Sequence, residues 1–302
     1  YEAIDHASSR RLFDHSVTDF PHIRQFFTDA YCRLVAMKLF ALRGSDYLRT
    51  ASPKDRRYLL YDPLVKMKVT SQGEEVIDLL WEIIAAKGFE KDRYFEMAAR
   101  DIRALPKLEG TVHVNIALIV KFMENYFFRA TDMPTIPKRD DAANDAFLFD
   151  QGPTKGLGSI QFDDYRKVFD RFDLPNVHVF VRQAEAFKEM LATQTPSPDQ
   201  VKDTDWLLAV GEIFTLIVYC QLVLENAEIY DMDADLIDEI FDVAVRDFSG
   251  FAVGLHGKAG TTTGQAEYCR KMIRTPAHDP ERYQRVWMDQ VYALRDAYEM
   301  AP

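Results

Sequence analysis

The chain has 302 residues and carries 48 acidic against 37 basic side chains, a formal net charge of −11 at pH 7. That balance argues against non-specific nucleic-acid binding, although a nucleotide needs only a local pocket. With 47% hydrophobic and 13% aromatic residues the chain can bury one large core or two modest ones, which excludes a disordered or fibrous protein.

Tyr1-Glu2-Ala3-Ile4-Asp5-His6-Ala7 reads as the inside of a helix, so the numbering is expected to start within a longer polypeptide. Phe13 to Pro21 reads as a turn in which Asp19 can cap and Pro21 suits a first helical turn. The spacing of Ile23, Phe26, Phe27, Ala30, Leu34, Met37 and Ala41 predicts a helix over residues 22–47. A second is predicted over 62–86, with Leu64, Met67, Val76, Leu79, Leu80, Ile83 and Ile84 inside and Gly88 ending it. A shorter helix covers 91–105. After a Pro-Lys-Leu-Glu-Gly-Thr break an apolar helix follows, with Val114, Ala117, Leu118, Val120, Phe122 and Met123, and is expected to cross the core.

Met133 to Asp141 is a Pro-rich, charged connector and the best boundary. The glycine-rich stretch 150–158 lacks a phosphate-loop pattern and is expected to pack as a loop against the second half. Helices resume at Phe180, Ala184, Phe187 and Leu191, then at 206–227 and 236–255; 257–264 reads as a loop. A last helix is predicted over 281–300, with Tyr283, Val286, Trp287, Val291, Leu294 and Tyr298. No sustained alternation at period two occurs. The fold class is all-α, with an expected division into 1–133, a connector 134–160 and a second helical domain 161–302.

Cys32, Cys220 and Cys269 are widely spaced without zinc-like spacing, which fits a reducing, cytoplasmic setting. No signal-peptide pattern opens the sequence, and no run of about eighteen uncharged apolar residues offers a membrane span. The seven histidines form no metal-binding pattern, and no metal site is expected. The break around Pro106 is the unusual feature. Glu109 stands between Leu108 and a Gly110-Thr111 pair ahead of an apolar helix, where burial would raise a carboxylate's pKa and a helix N-terminus would lower it. That is one way to build a general base, with His113 and Asn115 close enough in sequence to share its pocket. An N-terminal Glu capping the next helix, with Thr111 as a cap, is the plain alternative, and the residues alone favour it.

Three groups of residues then decide the reading. Glu82-Ile83-Ile84-Ala85-Ala86-Lys87-Gly88-Phe89, Arg100-Asp101 and Leu108-Glu109-Gly110-Thr111 stand at fixed separations. Without a gap they resemble the Q-I-x-G-G-x-G-Y, R-D and Y-E-G-T stretches in the C-terminal α-domain of the acyl-CoA dehydrogenases. The family's R-x-x-F-G-x-x-I-x-x-F-Q turn is similar to Arg10, Phe13, Asp14, Val17, Phe20 and Pro21. The resemblance covers about the first 125 residues; the second half resembles the additional helical domain of longer members and of acyl-CoA oxidases, without a comparable motif.

The resemblance implies an FAD-dependent enzyme that removes the α-proton of an acyl-CoA thioester with Glu109, while the β-hydrogen leaves as hydride to the flavin. It implies that Gly110 permits close approach of the substrate and that Thr111 lies beside the flavin. Glu82, Ala85 and Ala86 would line the cofactor, while Arg10, with Phe13 nearby, would reach the FAD pyrophosphate of a neighbouring subunit in a homo-oligomer. The reduced flavin would pass its electrons to an electron-transfer acceptor. This sequence departs from the family pattern at Asp14, Pro21, Glu82, Ala85, Ala86 and Leu108. It also lacks the family's N-terminal helical and middle β-domains, which the same precursor or a partner chain is expected to supply. An acyl-CoA oxidase shares the same base, and a non-catalytic helical assembly subunit is the reading from a different class.

Overall fold

The computed structural model describes residues 1–142 and 146–297. Its helices are α1 (Glu2–Ser9), α2 (Pro21–Arg49), α3 (Tyr58–Ile84), α4 (Tyr94–Asp101), α5 (Val112–Ile119), α6 (Met123–Phe128) and α7 (Phe147–Asp150) in the first half. There follow α8 (Arg166–Phe169), α9 (Pro175–Thr193), α10 (Thr204–Ile229), α11 (Ala234–His256), α12 (Thr263–Met272) and α13 (Pro280–Arg285). The all-α reading holds. Among the described residues its one sheet is a hairpin of two-residue strands, β1 (Arg11–Leu12) and β2 (His15–Ser16), inside the stretch read as a turn.

α2 and α3 form an antiparallel pair. Arg33 reaches Glu75 at 3.0 Å, and eleven residues further along α2 the added Cβ of Gly44 would meet the Val65 side chain at 2.5 Å. A larger residue at 44 would push the helices apart. α10 is buried on every side from Val210 to Ala227, apart from its half-buried Glu212, and forms the centre of the core. A helix apolar all round must be covered all round. α2, α5 and α11 cover it: Asn226 Nδ2 donates to Leu39 O at 2.8 Å, and an added Cβ on Gly211 would lie 2.2 Å from Ile116 Cγ2. The apolar core is therefore continuous from Ala3 on α1 to Val291 near the C-terminal end.

Charged pairs fix the register between halves. Arg33 grips Asp247 of α11 with two hydrogen bonds of 2.6 and 2.7 Å, and Arg246 grips Asp29 of α2 at 2.9 and 2.7 Å. α10 is long and apolar enough to cross a membrane by length and composition, with a mean hydropathy of 2.1, although Glu212 and Glu225 leave it without an uncharged run of about eighteen residues. Of that apolar window 78% lies inside the protein. Among the described residues no group of three or more His, Cys, Asp or Glu is placed to hold a metal ion, and all three cysteines are free and buried.

Several local expectations are corrected. α3 ends at Ile84, and Gly88 is buried inside a following 3-10 turn, Ala85–Phe89. Asp19 does not cap α2, whose N-cap is Phe20; its carboxylate accepts from Ser16 N at 2.9 Å and closes the short turn before that helix. The helix after the break is half-exposed and gives way at Val120 to 3-10 geometry, so α10 rather than this segment crosses the core. Loop 150–158 docks on the first half, because Arg56 donates to Pro153 O at 2.6 Å and Lys155 O at 2.7 Å. Thr262 and Gln265 cap each other's backbone and start α12, shortening the loop read over 257–264. The last predicted helix is α13 followed by a π-helical stretch, Val286–Val291; Tyr298 lies outside the described residues.

Asp62 contributes a pH dependence. It sits in the first turns of α3 with no cation beside it among the described residues, and burial pushes its carboxyl up to about 7. Glu239 is pushed to about 7 as well, by burial first and then by Asp242. Because the folded state holds these protons where the unfolded chain releases them, stability is highest below the unfolded pKa. It falls as pH rises from about 4 towards 7. Asp62→Asn should flatten that fall by up to about 1.4 kcal/mol per pH unit, checked by urea unfolding at pH 5, 6 and 7.

Candidate functional site

Two surfaces carry the residues singled out by sequence, and α3 connects them. The first is the break. A 3-10 turn, Ile102–Lys107, ends with Pro106 buried, after which Glu109 turns left-handed with φ 50° and Gly110 with φ 91°. Gly adopts that conformation freely, whereas a glutamate held there stores about 1 kcal/mol or more of backbone strain. The surroundings impose it: Lys66 of α3 donates its ammonium to Pro106 O at 3.2 Å and to Gly110 O, and Asn115 Nδ2 donates to Gly110 O at 3.4 Å. Thr111 caps α5, its hydroxyl accepting from Val114 N at 3.4 Å.

Glu109 is thus presented outward. Its carboxylate forms no hydrogen bond or ion pair among the described residues and is exposed, as are Leu105, Leu108 and Val114 beside it in the chain. The apolar, water-poor pocket expected around Glu109 is not formed among the described residues, because none of their elements covers the break. Glu109 is also not the capping residue of α5; Thr111 is. Asn115 shares the site by holding Gly110, whereas His113 lies towards Glu212 of α10.

The second surface gathers the end of α1, the hairpin and the end of α3. Phe13 (φ 52°) and Asp14 (φ 65°) form the two-residue hairpin tip, both left-handed, as a type I′ turn requires. An aspartate tolerates that backbone better than most residues, so Asp14 replaces a glycine there without unfolding the turn. Arg11 fastens the tip by donating to Asp14 O, and Phe13 is 86% exposed. Arg10 is exposed and, with Lys87 and Arg93, faces His6. Burial first, then those cations, holds the His6 imidazole below its usual range, and its buried Nε2 has no partner.

Glu82, Ala85 and Ala86 are exposed at the same end of α3. Glu82 borders an open groove of about 660 Å³ that Arg33, Asp78 and Phe251 also line. Ala85 stands at φ 54° and ψ −136°, a backbone region essentially reserved for glycine. Ala85→Gly should therefore raise unfolding free energy by about 1 kcal/mol, the relief of strain exceeding the added chain entropy. An unchanged denaturation midpoint would show that the strain is absent.

The two surfaces do not meet. A helix rises about 1.5 Å per residue, so Lys66 beside the break and Glu82 at the other end stand roughly 24 Å apart along α3. Lys66, His6, Lys87 and Arg93 were not singled out by sequence; isolated cations at helical spacing carry no signal that distinguishes them from a solvated face.

Residues 1–124 match the family described as "Acyl-CoA dehydrogenase, C-terminal domain". Over these residues the chain is similar to that C-terminal domain. A crystal structure of an acyl-CoA dehydrogenase from Bacillus anthracis, complexed with FAD, superimposes with a TM-score of 0.65 at 14% sequence identity. The match covers 96% of this chain and 53% of that one, so the chain spans about half the length of that protein. At this identity the likeness shows the fold: an acyl-CoA dehydrogenase-type helical domain with an additional helical part packed beside it. A comparison with curated proteins finds no match.

Proposed function

We propose that the chain is the helical C-terminal portion of an FAD-dependent acyl-CoA dehydrogenase and supplies its catalytic base, Glu109. The observation that carries this reading is the outward-facing, left-handed Glu109-Gly110 turn, held by Lys66 and Asn115 at the strongest motif of the matched domain. A strained backbone kept at an uncapped, unpaired carboxylate serves no purpose in packing. Exposed Leu105, Leu108 and Val114 offer apolar surface for a further layer, supplied by the N-terminal and middle β-domains of the same precursor or a partner chain.

Glu109 removes the α-proton of the acyl-CoA thioester. A thioester α-proton is weakly acidic, so the base needs a pKa near working pH, and burial of the break under the missing layer is what raises it. Gly110 keeps the backbone open to the thioester, and Thr111 fixes the start of α5 beside it. A bound FAD would supply the acceptor for the β-hydride. The second surface would suit the flavin's diphosphate: Arg10 is exposed, and Lys87 and Arg93 add positive charge. Phe13 packs nearby, while Ala85 and Ala86 form the wall with Glu82 turned to the groove. With roughly 24 Å along α3 between the surfaces, this half-site would serve the flavin of a neighbouring subunit in a homo-oligomer, each active site then drawing on two chains.

The reaction separates this reading from its rivals. The complete enzyme given acyl-CoA in air with an artificial electron acceptor should reduce the acceptor. Stoichiometric peroxide would make it an acyl-CoA oxidase, and neither product would favour a non-catalytic assembly subunit. A cytoplasmic location is proposed from the three reduced, buried cysteines.

A further inference from the structure

A second cleft, remote from Glu109, lies where the 133–138 connector crosses α2, α3 and α10. It encloses about 460 Å³, within the usual size of a small-molecule site. Its floor is polar and buried. Glu225 of α10 accepts from Arg43 Nε at 2.8 Å, from Tyr47 OH at 3.0 Å and, on its other oxygen, from Gln221 Nε2 at 2.8 Å. Arg43 and Arg57 also hold the connector, donating to Ile136 O at 2.9 Å and Pro134 O at 2.8 Å. Those bonds are structural, and they leave a remainder.

Arg57 is 4% exposed and directs Nε and Nη2 to Asp55 and Pro134, so Nη1 has no acceptor among the described residues. Tyr61, one helical turn further along α3, is 1% exposed, lines the cleft and makes no hydrogen bond there. Burial pushes its hydroxyl well above the ordinary range, so it stays a donor at neutral pH. Every acceptor on the floor is already engaged, and the unused groups are donors. Neither donor atom is fully enclosed, so both reach the cleft, where an entering acceptor would meet them. Five cations line the cleft, Arg43, Arg57, Lys138, Lys167 and Arg171, against four carboxylates, Asp163, Asp164, Glu225 and Glu228, and the surplus of one positive charge favours a ligand with a single negative charge. Met133, Ile136, Val168 and Ile229 give the rest of the wall an apolar character.

We propose that this cleft binds a monocarboxylate, its carboxylate on Arg57 Nη1 and the Tyr61 hydroxyl and its hydrocarbon body against Met133, Ile136, Val168 and Ile229. The site does not depend on the acyl-CoA reading, since none of its residues belongs to either surface described above.

Calorimetric titration of the full chain with sodium hexanoate, hexanamide and inorganic phosphate tests it. Hexanoate should bind saturably, and hexanamide, which has the same shape without charge, should not. Tyr61→Phe should weaken hexanoate binding about 10- to 100-fold without lowering the melting temperature, because the lost hydroxyl has no partner in the chain. Glu109→Gln should leave hexanoate binding unchanged, which separates this cleft from the proposed substrate site. Absence of saturable hexanoate binding, equal binding of hexanamide, preference for phosphate, or undiminished affinity in Tyr61→Phe would each overturn the proposal. If that variant does not fold, the comparison of hexanoate with hexanamide on the wild-type chain still decides.

Discussion

Glu109→Gln is expected to lower the acyl-CoA turnover of the complete enzyme by about 10³-fold while leaving substrate affinity nearly unchanged. Loss of a positioned general base falls on the chemical step. The amide keeps the size and polarity of the side chain, so the shape of the site is preserved. Folding should be unaffected within about 0.5 kcal/mol, because the carboxylate is exposed and unpaired and the left-handed turn is set by Lys66, Asn115 and Gly110. Steady-state kinetics checked against a denaturation curve separates the two effects. A fall in turnover accompanied by an equal fall in stability would assign Glu109 to the turn rather than to the chemistry.

Glu225→Ala should cost about 3 kcal/mol of unfolding free energy. Glu225 stands on α10 but is bonded to Arg43 and Tyr47 on α2, and Arg43 in turn reaches Asp46 at 3.1 Å and the connector. Removing it takes one of two carboxylates from a 3%-exposed guanidinium, which keeps Asp46, and leaves the Tyr47 hydroxyl and the Gln221 amide without their acceptor. Arg43→Ala should cost a similar amount for the complementary reason. The double variant should cost clearly less than the sum, since neither charge is then left alone; urea midpoints of the two single variants and the double give this coupling. Strict additivity would mean that the two side chains contribute independently.

Much of the fold was legible because it rests on helical periodicity. The apolar spacing of α2, α3, α10 and α11 follows from which faces must be covered, and the structure places those helices within a few residues of their predicted limits. What periodicity does not encode was misread. The hairpin at Arg11–Ser16 is held by the positive φ angles of Phe13 and Asp14, which neither side chain advertises. α12 is only 10 residues long and owes its start to a reciprocal Thr262–Gln265 cap. The docking of loop 150–158 on Arg56 depends on one long-range set of hydrogen bonds.

The site was legible by motif and not by environment. Glu109, Gly110 and Thr111 were singled out from their order in the sequence, but the expected apolar pocket depends on what covers the break. Ala85 shows the same limit from the other side. A glycine-like backbone persists beneath an alanine, and only the φ and ψ angles reveal it. The Arg57 and Tyr61 donors of the second cleft carry no sequence signal at all, because a satisfied and an unsatisfied donor are spelled by the same residue.

Exchange of the substrate's α-hydrogen with solvent reports the work of the base directly, separate from hydride transfer. The complete enzyme, held with acyl-CoA in D₂O without an electron acceptor, should incorporate deuterium at the α-carbon, read by mass spectrometry of the recovered thioester. Glu109→Gln should show only the uncatalysed background. Deuterium incorporation at the wild-type rate in that variant would contradict the assignment of Glu109 as the base.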